Sequence, residues 1–149
     1  MKELLLAIQA QLRTDLTYVR SGDIYITPHL NYIPSHVRAP CIGIKDGGIT
    51  RREELFGMWE LTMAISIVVY VQLLKDEASI IGDAAADQKG VLDIIDDINA
   101  SLDENLLDID GMQAAYSPSE GASEMFGNEE AGLQSKVINF EYIKEEERP

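Results

Sequence analysis

One run constrains this chain more than any other: Met58 to Leu74, MWELTMAISIVVYVQLL. Its odd positions are Trp59, Leu61, Met63, Ile65, Ile67, Val69 and Val71, while Glu60, Thr62, Ser66 and Gln72 fall among the even ones. A period of two belongs to a strand, so the spacing predicts a β-strand with one apolar and one mixed face. Wound as a helix, the same residues would spread apolar groups round the whole circumference and leave Glu60, Thr62 and Ser66 without a common polar side. β-branched and aromatic residues dominate the run, which suits a pleated surface. At about 3.3 Å per residue it extends to roughly 45–50 Å, well past a typical strand of about 5–6 residues, so part of it is expected to project beyond the sheet or bend. A membrane-spanning helix needs about 20 mostly apolar residues, and this run is shorter with Glu60 near its start.

With 149 residues the chain has room for one sizeable core, and the expectation is a single domain over 1–149. A hydrophobic fraction of 46% fits a folded, soluble protein rather than a disordered one. The opening MKELLLAIQAQLR has an apolar run too soon interrupted by Gln and Arg for a secretory signal. One cysteine, Cys41, excludes an internal disulfide, fits a reducing compartment and reads as a small buried strand residue rather than a nucleophile.

Before the long strand, Lys2 to about Asp15 reads as an amphipathic helix with Leu5, Ile8 and Leu12 on its apolar side. DIYIT, Asp23 to Thr27, reads as a short strand stopped by Pro28. Pro28 to Pro40 has three prolines and no sustained period, which predicts a loop or edge segment. His29 and His36 within it lack a third ligand at supporting spacing and read as exposed loop residues rather than a metal site. CIGIK, Cys41 to Lys45, reads as a strand, and DGG at 46–48 as a turn. Ile49 to Gly57, ITRREELFG, reads as an exposed connection or the tip of an extended hairpin.

After the long strand, Lys75 to Lys89 is polar and alanine-rich, with a helical turn at Ile80 and Ile81 broken by Gly82. A second helix is expected from about Gln88 or Gly90 to Leu102, with Val91, Ile94, Ile95, Ile98 and Leu102 as its stripe and Asp93, Asp96, Asp97 and Asn99 opposite. Aspartates so placed are explained by solvation, although paired carboxylates could in principle bind a divalent cation or act as acid and base. DIDG, Asp108 to Gly111, lacks the later residues of a calcium loop and reads as a turn. Residues 111–132 mix Gly, Ser, Pro and Glu around a possible strand at Met112 to Tyr116 and are expected to be mobile before meeting a partner. Ser135 to Glu147 reads as a final strand with Ile138, Phe140 and Tyr142 on one side, passing into a charged tail at 144–149. The class that follows is α+β: a mixed, mostly antiparallel sheet built around one long strand, about 58–72, with two main helices packed on it.

Net charge is −14, unevenly placed. Met1 to Arg52 holds seven Lys or Arg against four Asp or Glu, whereas Glu53 to Pro149 holds five against twenty-two. Such a surface opposes direct DNA binding. Unlike surfaces on one chain can meet when copies assemble head to tail, and acidity can also serve solubility alone. No Gly-rich phosphate loop, zinc-ligand set, nucleophile elbow or internal repeat is present.

In the order of these elements, and in the wording of LLLAIQAQLRTDLTYVRSGDIYITP, PCIGIKDGGITRREE, VLDIIDDINASLDENLL and KVINFEYIKEE, most of the chain resembles the tail terminator (tail completion) proteins of tailed bacteriophages and prophages. That resemblance implies a minor tail protein without enzyme chemistry, catalytic residues, metal or cofactor. It would form a homo-oligomeric ring, typically of six, that caps the tail tube and meets the head–tail connector, without binding a specific nucleic acid sequence or a membrane. Its place would be the bacterial host cytoplasm during assembly and the tail or neck of the mature virion. The residues singled out for a contact with a neighbouring subunit or the tube are Arg51, Arg52, Glu53 and Glu54 on the hairpin and Asp93, Asp96 and Asp97 on the second helix. The competing readings are another head–tail connector or neck protein, a small carboxylate metal enzyme using Asp83, Asp93, Asp96 or Asp97, and a monomeric adaptor of unknown ligand.

Overall fold

The computed structural model describes residues 1–73, 77–126 and 132–148. Leu74 of the long run, the first residues of the polar segment after it, residues 127–131 of the segment expected to be mobile, and Pro149 lie outside that description.

The period-two run forms β3, Met58–Gln72, and its odd side chains from Leu61 to Val71 are buried. It is flanked by two equally extended partners, β2 (Cys41–Glu53) and β6 (Leu133–Glu147), both antiparallel to it. The sheet order is β1-β2-β3-β6-β4, where β1 is Ile24–Ile26 and β4 is Met112–Glu120; β5, Glu124–Phe126, also pairs with β6. Only β1 runs parallel to its neighbour, so the sheet is mixed and mostly antiparallel. Two of the chain's helices, α1 (Lys2–Asp15) and α3 (Val91–Leu102), lie on one face; α2 is a single turn at Ala78–Ile81.

That face holds the main core. Ile65, Ile67 and Val69 of β3 share it with Ile138, Phe140 and Tyr142 of β6, all paired across the ladder or diagonal to it. Leu4, Ile8 and Leu12 of α1 and all five predicted apolar residues of α3 close it from above. On α1 the leading buried residue is Leu4 rather than the expected Leu5, which is only partly covered. A row spaced by four, Leu4, Ile8 and Leu12, keeps to one narrow stripe of the helix and meets the sheet more squarely. Ser101 of α3 donates to the Asp15 carboxylate at 2.7 Å and ties the two helices together.

The mixed face of β3 is used in two ways. Near Gln72 the loop 28–40 folds across it, and Val37, Leu30 and Ile33 pack with Tyr25, Cys41, Val68 and Tyr70 in a second, smaller core. Tyr70 donates its hydroxyl to the Leu30 carbonyl and Tyr25 to that of Tyr32 at 3.1 Å. Asp23 anchors the far end of the loop: its carboxylate accepts Arg20 at 2.7 Å and the Arg38 N–H at 3.1 Å. Burial alone would raise the Asp23 carboxyl, but those donors outweigh it and hold it below its ordinary value. Cys41 is fully buried in this cluster, and burial pushes its thiol up to about 12, which keeps it protonated and unreactive. Toward Met58, by contrast, Thr62, Ala64 and Ser66 of β3 with Asn139 and Glu141 of β6 are only half-buried.

Two expectations change. The DGG sequence at 46–48 is a bulge inside β2, not a turn, and the register shifts between Asp46 and Ile49. A Cβ on Gly47 would lie 2.8 Å from the Ala64 carbonyl oxygen, so glycine there lets the two strands close up while β2 continues. The final strand expected over Ser135 to Glu147 forms as β6, and what changes is the charged end, also read as a tail from 144: Lys144 to Glu147 are paired with Leu61 to Met58. Within the segment expected to be mobile, β4 runs on past Tyr116 to Glu120, across a second register shift.

Candidate interface at the hairpin tip

Because the DGG sequence does not turn the chain, the β2–β3 hairpin reaches as far as Glu53 opposite Trp59, with Glu146 of β6 on the other side. The reversal falls at Leu55–Gly57, closed by the Glu54 N–H donating to the Met58 carbonyl at 2.8 Å. Phe56 takes a left-handed backbone, φ 64, followed by Gly57 at φ 74. A bulky residue there carries a steric penalty of about 1–2 kcal/mol. The turn displays what it strains: Leu55 is 78% exposed and Phe56 98%.

The base of this tip is braced by charge. Arg52 lies 3.3 Å from Glu54 and 3.6 Å from its cross-strand partner Glu60. Arg148 ion-pairs with Glu53, sits over the Trp59 ring at 5.1 Å and donates its N–H to the Gly57 carbonyl at 2.8 Å. Arg51 stands opposite Leu61, exposed, and has no ion-pair partner among the described residues. Surface pairs of this sort contribute about 0–1 kcal/mol each, so they shape the tip more than they stabilise the fold.

The predicted interface residues fall into two groups that the fold keeps apart. Arg51 to Glu54 lie at the Met58 end of β3, whereas the start of α3 lies by its Gln72 end. Asp93 accepts the Gly90 N–H at 3.0 Å and caps α3. Asp97 accepts the Tyr18 hydroxyl at 2.6 Å and the Lys89 ammonium at 2.8 Å, while Lys89 also lies 4.5 Å from the centre of the Tyr18 ring. Burial would raise the Asp97 carboxyl, but the Lys89 and Tyr18 hydrogen bonds prevail and hold it low. Asp96 is exposed, and Asp83 accepts the N–H groups of Ala85 and Ala86 in a short turn. Among the described residues no three His, Cys, Asp or Glu come together as a cation cluster. Nor is any helix among them long and apolar enough to cross a membrane.

Beside Lys89 and Tyr18 lies a cleft of about 250 Å³ whose walls include Pro40, Val71, Gln72 and Ala78. Sequence reasoning reached the hairpin's charges but passed over Leu55 and Phe56. Their signal was available: two large apolar residues directly before a glycine, in a stretch otherwise read as solvated.

No family model matches the chain, and no curated protein matches it. Among solved structures it is similar to a chain of the virion of a native gene transfer agent particle, with 16% identity, a TM-score of 0.64, and coverage of 96% of this chain and 95% of that one. At that identity the likeness is one of fold, and it runs over nearly the full length of both chains.

Proposed function

We propose that this chain is a structural subunit of a phage-type particle, a tail terminator that assembles as a ring, caps the tail tube and meets the head–tail connector. The observation that carries this reading is the end-to-end fold likeness to a chain of a virion particle. It agrees with the sequence resemblance, which rests on separate features. The hairpin supports it too: a braced projection carrying two exposed apolar side chains suits a contact made in an assembly rather than a folded monomer's surface. A heterologous contact repeated around an axis closes into a ring when its rotation fits, and six copies is the number the resemblance implies. The role is non-enzymatic, and the residues that carry it are Arg51, Arg52, Glu53 and Glu54 toward a neighbour or the tube, with Asp93, Asp96 and Asp97 adding acidity elsewhere. An acidic ring bore would let duplex DNA pass without adhering. Assembly would take place in the host cytoplasm, and the mature protein would remain in the virion.

Charge reversal tests the role given to the hairpin. Arg51→Glu with Arg52→Glu places two acids beside Glu53, Glu54 and Glu60 and leaves the Arg52 contacts at 3.3 and 3.6 Å unmade. The variant is expected to fold, since these side chains are exposed, yet to lose ring assembly or tail capping, read by light scattering and by tube length in an assembly mixture. Unchanged assembly and capping would remove the two arginines from the interface.

A further inference from the structure

Thirteen residues, Pro28 to Pro40, cross one face of the sheet without a main-chain hydrogen bond to any strand or helix among the described residues. Their backbone bonds turn back on the loop itself: the Tyr32 N–H donates to the His29 carbonyl at 3.3 Å and the Val37 N–H to that of Pro34 at 3.0 Å. Polar contact with the body comes instead through its side chains. Asp23 accepts the Arg38 N–H at 3.1 Å, Tyr25 and Tyr70 donate to the Tyr32 and Leu30 carbonyls, and Thr27 donates to that of His29 at 2.7 Å. The sheet beneath is complete without the loop, since β1, β2, β3 and β6 are bonded through their own ladders and the main core lies on the opposite face. We infer that residues 28–40 form a strap that lifts as a unit, while the sheet and both long helices stay folded, and uncovers Tyr25, Cys41, Val68 and Tyr70.

A segment opens separately from its domain when the contacts it alone makes are few and the rest of the fold does not depend on them. The strap's apolar share is Val37, which is buried, with Leu30 and Ile33 only partly so, and neither α1 nor α3 takes part in that smaller core. Both ends of the strap are held while its middle moves: the Thr27 N–H is bonded to the Ile44 carbonyl at 2.9 Å, and Cys41 pairs with Tyr70, so no strand has to unpair. Asp23 is the clasp. Itself buried and paired with Arg20 at 2.7 Å, it grips the far end of the strap through the Arg38 N–H. Pro28, Pro34 and Pro40 restrict the lifted chain, which lowers the entropy lost when it closes again. With the strap up, Val68 and Tyr70 join Thr62, Ala64 and Ser66, which lie on the same side of β3 by the period of two, in one continuous sheet face. One face of the sheet is thus sealed by packed helices and the other, at its Gln72 end, by a movable cover.

Cys41 reports the motion, because it is the chain's one cysteine and is 0% exposed within the cluster that the strap covers. Its labelling by dithiobis(nitrobenzoate) is followed at fixed pH, at urea concentrations below the unfolding transition. Lifting the strap exposes little surface, so the rate is expected to be nearly independent of urea, whereas labelling through global unfolding would rise with the full slope seen by circular dichroism. Val37→Ala, which removes two buried carbons from the strap, is expected to speed labelling about tenfold. Ile98→Val, in the main core, is expected to leave the rate unchanged, because its contacts persist when the strap is up. Labelling that is absent below the transition, that follows the global slope from zero urea, or that Ile98→Val accelerates as much as Val37→Ala does, would mean that Cys41 is reached only when the domain unfolds, and would overturn the inference. A urea-independent rate unmoved by Val37→Ala would place the opening in β1 or β2 and overturn it as well.

Discussion

Phe140→Ala is expected to lower the unfolding free energy by about 3–5 kcal/mol, the range for truncating a phenylalanine in a packed core. Phe140 is 0% exposed and stands across the ladder from Ile65, in the cluster that α1 and α3 close. Its ring lies 6.4 Å from that of Tyr142, tilted at 36°. Neither partner can follow the lost ring inward, because both belong to hydrogen-bonded strands, so the cavity stays open. Against a total of about 5–15 kcal/mol for a domain, this is about a fifth or more of the stability. Urea unfolding should show a lower midpoint with an unchanged slope. Phe56→Ala is the matched control: at 98% exposure it is expected to change stability by no more than about 0.5 kcal/mol, while reducing assembly. The same residue type is thus fully buried at one position and fully displayed at the other.

The second large effect is expected at Gly111. Its backbone has φ +83, and a Cβ added there would lie 2.3 Å from the Glu145 carbonyl oxygen. Gly111 also accepts the Glu145 N–H at 2.9 Å, so β4 enters the sheet at this contact. Gly111→Ala combines a left-handed backbone with a clash against another backbone, which cannot rotate away. A loss of about 2–3 kcal/mol is expected, visible as a lower thermal midpoint. Gly57→Ala separates the two terms: φ there is +74 with nothing within 4 Å, so only the conformational cost of about 1 kcal/mol should appear.

How far the sequence can be read depends on how local the governing physics is. Alternation from Leu61 to Val71 identified β3, because a period of two survives whatever packs on it. The stripe of α3 was equally legible, all five apolar residues being buried. DGG misled because a turn and a glycine bulge share the same residues; only the partner strand, with Ala64 against Gly47, decides between them. The final strand was legible to Glu147, but that its charged end, Lys144 to Glu147, would be held in the ladder rather than lead into a solvated tail depends on the partner strand and not on local pattern. The loop 28–40 likewise gave no hint that it would cover Val68 and Tyr70, a contact formed across some forty residues of sequence. At the candidate interface the charges stood out as a cluster, but the exposed Leu55 and Phe56 became visible only when the hairpin was seen to end in them.

The proposed ring requires copies of the chain to join one another. Light scattering of the purified wild type, at low and at high salt and over a range of concentration, measures that most directly. A closed species near six times the 16.5 kDa subunit, less populated at high salt as the charged contacts are screened, is the result predicted. A single 16.5 kDa particle at every concentration and both salts would contradict it.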